Sequence, residues 1–166
     1  MYTVLFHALS IPLAIMYSHI IEWVLHKYLL HGVGIRKDSI FSFHWHSHHK
    51  NCRKNEGLDP NYDDWYRHFS VWKEIVGLTL LLAIHVILAF YSPFFFITLV
   101  FCSIRYFYIH RKAHLDVEWA KKNVPWHYEH HMGKDQNANW GVTTDWVDRA
   151  AKTRKHYLDQ SGSLIK

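Results

Sequence analysis

Apolar residues gather in two long blocks separated by polar, histidine-rich stretches. From Tyr2 to Leu25 the sequence YTVLFHALSIPLAIMYSHIIEWVL carries one acid, Glu22, and neither Lys nor Arg. Its length suffices for a helix to span a bilayer. A secretory signal begins with basic residues and ends at a small-residue cleavage site, and this segment has neither. His7, Pro12, His19 and Glu22 weaken it as a purely lipid-facing helix. The second block runs from Ile75 to Ile109, where IVGLTLLLAIHVILAFY and FFFITLVFCSIRYFYI are separated by Ser92 and Pro93. Each arm is about 25 Å long as a helix, short for a full span. A tight hairpin that crosses a thin membrane or dips into it fits best, with Pro93 stopping propagation and making the turn. The pattern predicts an all-α integral membrane protein with about three apolar membrane segments and a histidine-rich helical cap, as one domain over residues 1–166. A soluble helical protein is the poorer reading, because an apolar block of this length broken by one turn is costly in water.

Charge adds an orientation. Lys27, Arg36, Lys37, Lys50, Arg53 and Lys54 follow the first block, and Lys112, Lys121 and Lys122 follow the second. The N-terminus and the Ser92-Pro93 turn carry no charged side chain. By the positive-inside rule, segments 26–74 and 110–166 face the cytoplasm, with the N-terminus and the turn outside. The net charge of +5 does not indicate nucleic acid, because the basic residues fall in particular loops rather than along one face. Cys52 and Cys102 are the only cysteines and form no CxxC pair, which argues against a disulfide framework or a thiolate zinc ribbon and for a reducing environment. The stretch NEGLDPNYDDW, Asn55 to Trp65, has the chemistry of turns and predicts a loop.

Histidine changes the picture most. The chain has sixteen, and most cluster at the ends of the apolar blocks: His26 and His31 in HKYLLH, His44, His46, His48 and His49 in HWHSHH, His110 and His114 in HRKAH, and His127, His130 and His131 in HYEHH. So many imidazoles at clustered sites are hard to satisfy by hydrogen bonds alone, whereas the neutral ring is a good metal ligand. His110 and His114 stand one helical turn apart on one face. On an α-helix His127 reaches both His130 and His131, so that box can offer three nitrogens to one volume. His26 and His31, five apart, diverge by about 140° on an α-helix, which suits ligands approaching two metals from one helix, or a helix that ends near Gly32. His44 and His48 share a helical face, while His46 points away from both. Glu22, one turn before His26, and Glu129, inside the last box, are candidates to orient ligand rings. His19 lies on the Glu22–His26 face, and Asn139 and Asp145 offer further hydrogen bonds to the ligands. His7 and His85 read as helix–helix hydrogen-bonding residues, and His68 and His156 as surface residues. Imidazole-only coordination suits Zn, Cu, Fe or Ni. Ten ligands exceed one zinc site, which needs three or four, and point to two metals, with dioxygen activation by iron as the leading chemistry beside a membrane. HEXXH is absent, which disfavours a zinc hydrolase.

The ordered boxes HX4H (His26, His31), HX3HH (His44, His48, His49), HX3H (His110, His114) and HX2HH (His127, His130, His131) resemble those of the fatty acid hydroxylase / sterol desaturase superfamily of integral-membrane di-iron oxygenases. The likeness extends from about Glu22 to Thr153. It includes the membrane hairpin between the second and third boxes and the tail NWG (Asn139 to Gly141) with WVDR (Trp146 to Arg149) and Thr153. Ala150, Ala151 and Lys152 depart from that family's usual tail. The chain also resembles bacterial beta-carotene hydroxylases of the same wider group. The resemblance implies two iron ions held by the ten histidines, with His46 outside. It implies O2 as co-substrate and hydroxylation or desaturation of an apolar lipid chain, fatty acyl, sterol or carotenoid. Electrons would come from a separate cytochrome b5- or ferredoxin-like protein, since no such domain is fused here. Phe94 to Phe96, Tyr106 and Tyr108 are candidate lining for the substrate, although most such aromatics face lipid or core. A membrane metal-binding protein without redox turnover is the alternative from another class.

Overall fold

The first apolar block winds into one long helix, α1 (Tyr2–Val24), which continues through Pro12. A computed structural model describes residues 2–159 and 161–165, with side chains at residue 7 and from residue 9 onward. Past Val24 the winding loosens into a π-helical stretch, Leu25–Val33, closed by Gly34 N–H donating five residues back to the Leu29 carbonyl at 2.9 Å. A second π-helical stretch, His44–His49, runs directly into α2 (Lys50–Lys54). The predicted loop follows, with 3-10 turns at Pro60–Tyr62 and Trp65–Arg67.

The second block begins with α3 (Phe69–Ile84), breaks at residues 85–87, and resumes as the short α4 (Leu88–Tyr91). Ser92 ends it, and Pro93 opens α5 (Pro93–Leu115) at a position where a missing N–H costs nothing. Asp116 then caps α6 (Val117–Asn123) by accepting from Trp119 N–H. Pro125 opens α7 (Pro125–Met132), and α8 (Trp146–Ala150) follows a loop. There is no β-strand among the described residues; one isolated bridge pairs Leu158 with Leu164.

Among the described residues, two helices are long and apolar enough to cross a membrane, Leu9–Val33 and Pro93–Leu115. At 1.5 Å per residue, α5 reaches about 35 Å, against about 30 Å of hydrocarbon. The sequence pattern predicts a third segment, but the 75–91 arm is split. His85 Nδ1 donates back to the Leu81 carbonyl at 2.7 Å, and the backbone turns over residues 85–87. The surface of these helices is apolar: Leu80, Ile84, Phe90, Ile97, Phe101 and Ile104 are each more than 60% exposed. The centre is the reverse, with every clustered histidine except His46 at most 4% exposed. Among the described residues, two small clusters of buried apolar side chains form, one around Ile109, Ala113, Val124 and Tyr128, the other around Trp23, Trp140 and Val147.

Candidate metal centre

The ten histidines converge in two groups of five. His26, His31, His44, His49 and His130 form one, with donor nitrogens all within 4.8 Å of one another. His110, His114, His127 and His131 form the other, and His48 joins them through His114 and His131. The groups abut where the His49 ring lies 4.2 Å from that of His131.

Helix winding decides which ring goes where. In the π-helical stretches a residue sits nearly above the one five places earlier, because the hydrogen bonds close from i to i+5. His26 and His31 therefore enter the same group, instead of diverging toward two metals as α-helical geometry predicts. His44 likewise pairs with His49, while His48 turns to the second group, so the shared His44–His48 face does not survive. On α5, true α-helical spacing sends His110 and His114 to one group. The last box divides: His130 joins the first group, and His127 and His131, one turn apart on α7, join the second. The single volume expected of that box is thus two. His46 donates to or accepts from neither group; its Nε2 contacts the Ile35 carbonyl at 2.9 Å.

Outer partners set the tautomers. His26 Nδ1 donates to the Trp140 carbonyl (2.6 Å), His130 to Ala138 (2.7 Å) and His114 to Gly57 (3.1 Å). His48 Nδ1 donates to the Asp59 carboxylate (2.8 Å) and His110 Nδ1 to Glu74 (2.7 Å). Carbonyls and carboxylates only accept, so each of these rings carries its proton outside and turns a bare Nε2 lone pair inward. Asp59 also accepts from Asn51 and Asn61, and Tyr62 donates to the second oxygen of Glu74 at 2.5 Å. Gly57 reaches His114 through a backbone at φ +103°, a conformation that favours glycine.

A cation fits this interior. The Nε2 atoms of His48, His110 and His131 are buried with no hydrogen-bond partner, and each such orphan costs about 1–3 kcal/mol. Burial, reinforced by neighbouring imidazoles, holds His44, His48, His49, His127, His130 and His131 well below the ordinary imidazole pKa, as neutral bases. Within each group, Nε2 atoms approach to 3.0–3.2 Å: His26–His44, His31–His49, His31–His130 and His49–His130 in the first, His114–His127 in the second. Nitrogens about 2.1 Å from one ion stand about 3.0 Å apart at right angles and about 3.4 Å apart at the tetrahedral angle. The spacing and the five-nitrogen sets match the first arrangement. Cys52 lies close by, but its Sγ is 3.4 Å from His114 Nδ1 and 3.9 Å from His48 Nδ1, on the outer side of both rings. Burial pushes its thiol pKa up, so it stays protonated and a poor ligand. Both cysteines are free.

The expected orienting residues hold the tail rather than the rings. Glu22 accepts from Val142 N–H, Thr143 N–H and the Thr143 hydroxyl. Glu129 accepts from Tyr157 and Leu158 N–H and lies 2.7 Å from Arg154. Asn139, at φ +59°, clamps Lys155 by two bonds. Asp145 accepts from Arg149 and Arg154, and His19 accepts from Trp146. None of the five touches a clustered histidine by a hydrogen bond. The carboxylates that do are Asp59 and Glu74, which carry no signal in the sequence because one sits in a turn-rich stretch and the other just before an apolar run. Asp148 was missed too: fully buried, it gathers Trp23 Nε1, Trp140 N–H, Gly141 N–H and the Thr153 hydroxyl, and so fixes the carbonyl that His26 uses.

A cavity of about 430 Å³ leads from α1, α3 and α5 to the centre. Its walls include Leu25, Leu29, Leu78, Leu81 and Leu99, and it ends on His26, His44, His48 and His110. Tyr106 lines it, whereas Phe94 to Phe96 and Tyr108 do not. His7 packs its ring against Phe94, and His85 accepts from Tyr17 Oη at 2.7 Å, both away from the histidine groups. His156 is exposed and His68 half-buried. Comparison of the chain with family models, curated proteins and solved structures returns no match.

Proposed function

We propose that this protein is a membrane-embedded di-iron oxygenase of the fatty acid hydroxylase / sterol desaturase type, acting on an apolar lipid chain with O2 and external electrons. One observation carries the reading: an apolar cavity opening among bilayer-length helices ends on four histidines drawn from both nitrogen groups. In this reading His26, His31, His44, His49 and His130 hold one ion, and His48, His110, His114, His127 and His131 hold the other. Bound iron supplies dioxygen activation, a chemistry that amino-acid side chains lack.

The chain's own residues do the rest. Asp59, Glu74 and the carbonyls of Gly57, Ala138 and Trp140 hold each Nδ1 proton and lock ring orientation before substrate arrives. The leucine-rich wall of the cavity binds the chain, excludes water and sets one carbon against the His26, His44, His48 and His110 face. The overall change is R–H + O2 + two electrons + two protons giving R–OH and water; desaturation takes two hydrogens instead and gives two waters. The basic residues that follow each apolar block set the histidine end toward the cytoplasm in this reading.

The test is metal analysis of the purified chain joined to lipid and carotenoid mass spectrometry of expressing cells. Two irons per chain and products with one added oxygen or two lost hydrogens are expected, and His130→Ala should abolish both the product and full iron loading. His46→Ala should retain iron where His44→Ala loses it. A well-folded chain that binds metal reversibly, consumes no O2 with a reductant and leaves lipids unchanged would instead be a metal-handling protein.

A further inference from the structure

The histidine centre has a second approach that shares no lining residue with the apolar cavity. A shallow groove of about 520 Å³ is lined by Lys37, Ser42, Trp45, His46, His49, Lys50, Arg53 and Gln136. Three cations border it and no carboxylate does. At its floor lies His49, only 2% exposed, the one member of the two nitrogen groups that this groove reaches. Two side chains separate His49 from solvent: the Trp45 ring stacks on it at 5.3 Å and 28°, and the Gln136 amide nitrogen lies 2.9 Å from its Nδ1. Arg53 is tied down by donating to the Gly133 carbonyl, and Asp135, the nearest acid in sequence to Gln136, is paired with Lys155. The positive field of the groove is therefore not neutralised from within.

Resting on the oxygenase reading above, we infer that this groove is the docking face for an acidic one-electron carrier protein, with Trp45 and Gln136 as the contact between the carrier and His49. The proposed reaction consumes two electrons that must enter from outside, and the cavity side is taken by the lipid. Each reduced carrier would give up one electron and leave oxidised, so two visits supply the pair required by R–H + O2 + two electrons + two protons giving R–OH + water. A carrier with a carboxylate-rich face meets Lys37, Lys50 and Arg53 by charge complementarity, which steers encounter and fixes register. A ring in stacked contact with His49 leaves a single side chain between the docked surface and the centre.

The test uses the full-length, iron-loaded protein in detergent, titrated with a plant-type [2Fe–2S] ferredoxin, which is acidic, and with basic cytochrome c as the opposite charge control. Ferredoxin should bind, and its affinity should fall steeply as salt is raised through the range where surface charges are screened. Lys37→Glu with Lys50→Glu should weaken it about tenfold at low salt, and Lys37→Gln with Lys50→Gln by an intermediate factor. Iron content and reduction by dithionite should stay unchanged in both variants. Equal ferredoxin affinity in the charge-reversed and native proteins overturns the inference, as does equally tight binding of cytochrome c to the native protein. Loss of binding to phosphatidylglycerol vesicles with ferredoxin binding intact overturns it in favour of a lipid-headgroup face. A chain that loads no iron, or shows no change with dithionite, fails earlier and takes the oxygenase reading down with it.

Discussion

His48 and Asp59 illustrate what a single residue contributes here. The carboxylate accepts the Nδ1 proton at 2.8 Å while both groups are nearly inaccessible to water, which leaves the opposite nitrogen basic and aimed inward. Removing that acceptor frees the ring to turn. Asp59→Ala should lower metal affinity about 10- to 100-fold, read by competition with a chelator, with helical content unchanged. The same burial has a pH consequence in the metal-free chain. His44, His48, His49, His127, His130 and His131 are held below the ordinary value of 6.5, mainly by desolvation. Above pH 6.5 both folded and unfolded chains carry these rings neutral, so no stability is lost. Below it the unfolded chain takes up protons that the folded chain refuses, and stability falls as pH drops, by as much as about 1.4 kcal/mol per pH unit for each ring. Melting of the metal-free protein should therefore shift steeply downward between pH 6.5 and 5, and an unchanged midpoint would contradict the buried, neutral assignment.

At the scale of elements, the π-helical winding of Leu25–Val33 and His44–His49 is the decisive feature. A spacing of five is awkward on an α-helix and natural on one closed by i to i+5 bonds, so the sequence spacing and the winding explain each other. The tail is the second feature. In the fold the NWG and WVDR segments join in one hydrogen-bonded knot around Asp148 that ties α8 to Trp23 on α1. Charged hydrogen bonds are worth about 1.5–3 kcal/mol each, so Asp148→Ala should destabilise the protein by several kcal/mol. Hydrogen exchange should locate the loss at residues 138–155, and His26, deprived of a fixed Trp140 carbonyl, should bind metal more weakly. An Asp148→Ala protein with native protection across that stretch would show the knot to be dispensable.

The molecule differs from a water-soluble domain in what it buries: its imidazoles are central, while many large apolar side chains, Phe90, Phe101 and Ile104 among them, are on the perimeter. Exposed apolar area of this extent is stable where lipid covers it. Phe101, 63% exposed on α5, faces that perimeter, whereas Arg105 one turn on lines the cavity. Phe101→Lys should cost membrane insertion about 2.5–3.5 kcal/mol if α5 is a span, read as a loss of the membrane-extracted fraction on expression. No loss would sink the transmembrane assignment of α5.

What the sequence alone carried was composition and periodicity: which blocks are apolar, where Pro93 breaks them, and where the histidines gather along the chain, because composition and local spacing are properties of the chain itself. Glu22, Glu129, Asn139 and Asp145 were recognisable as unusual, yet their partners were not, since each bonds to backbone or a side chain far from it or across a turn. Only the folded chain decided the five-and-five partition of the rings, the break at His85 in the 75–91 arm, and the hydrogen-bonding roles of Asp59, Glu74 and Asp148. Each of these depends on winding or on contacts between distant residues. His26 and His130 lie about a hundred positions apart in the chain, and only the tertiary fold sets their rings 4.5 Å apart.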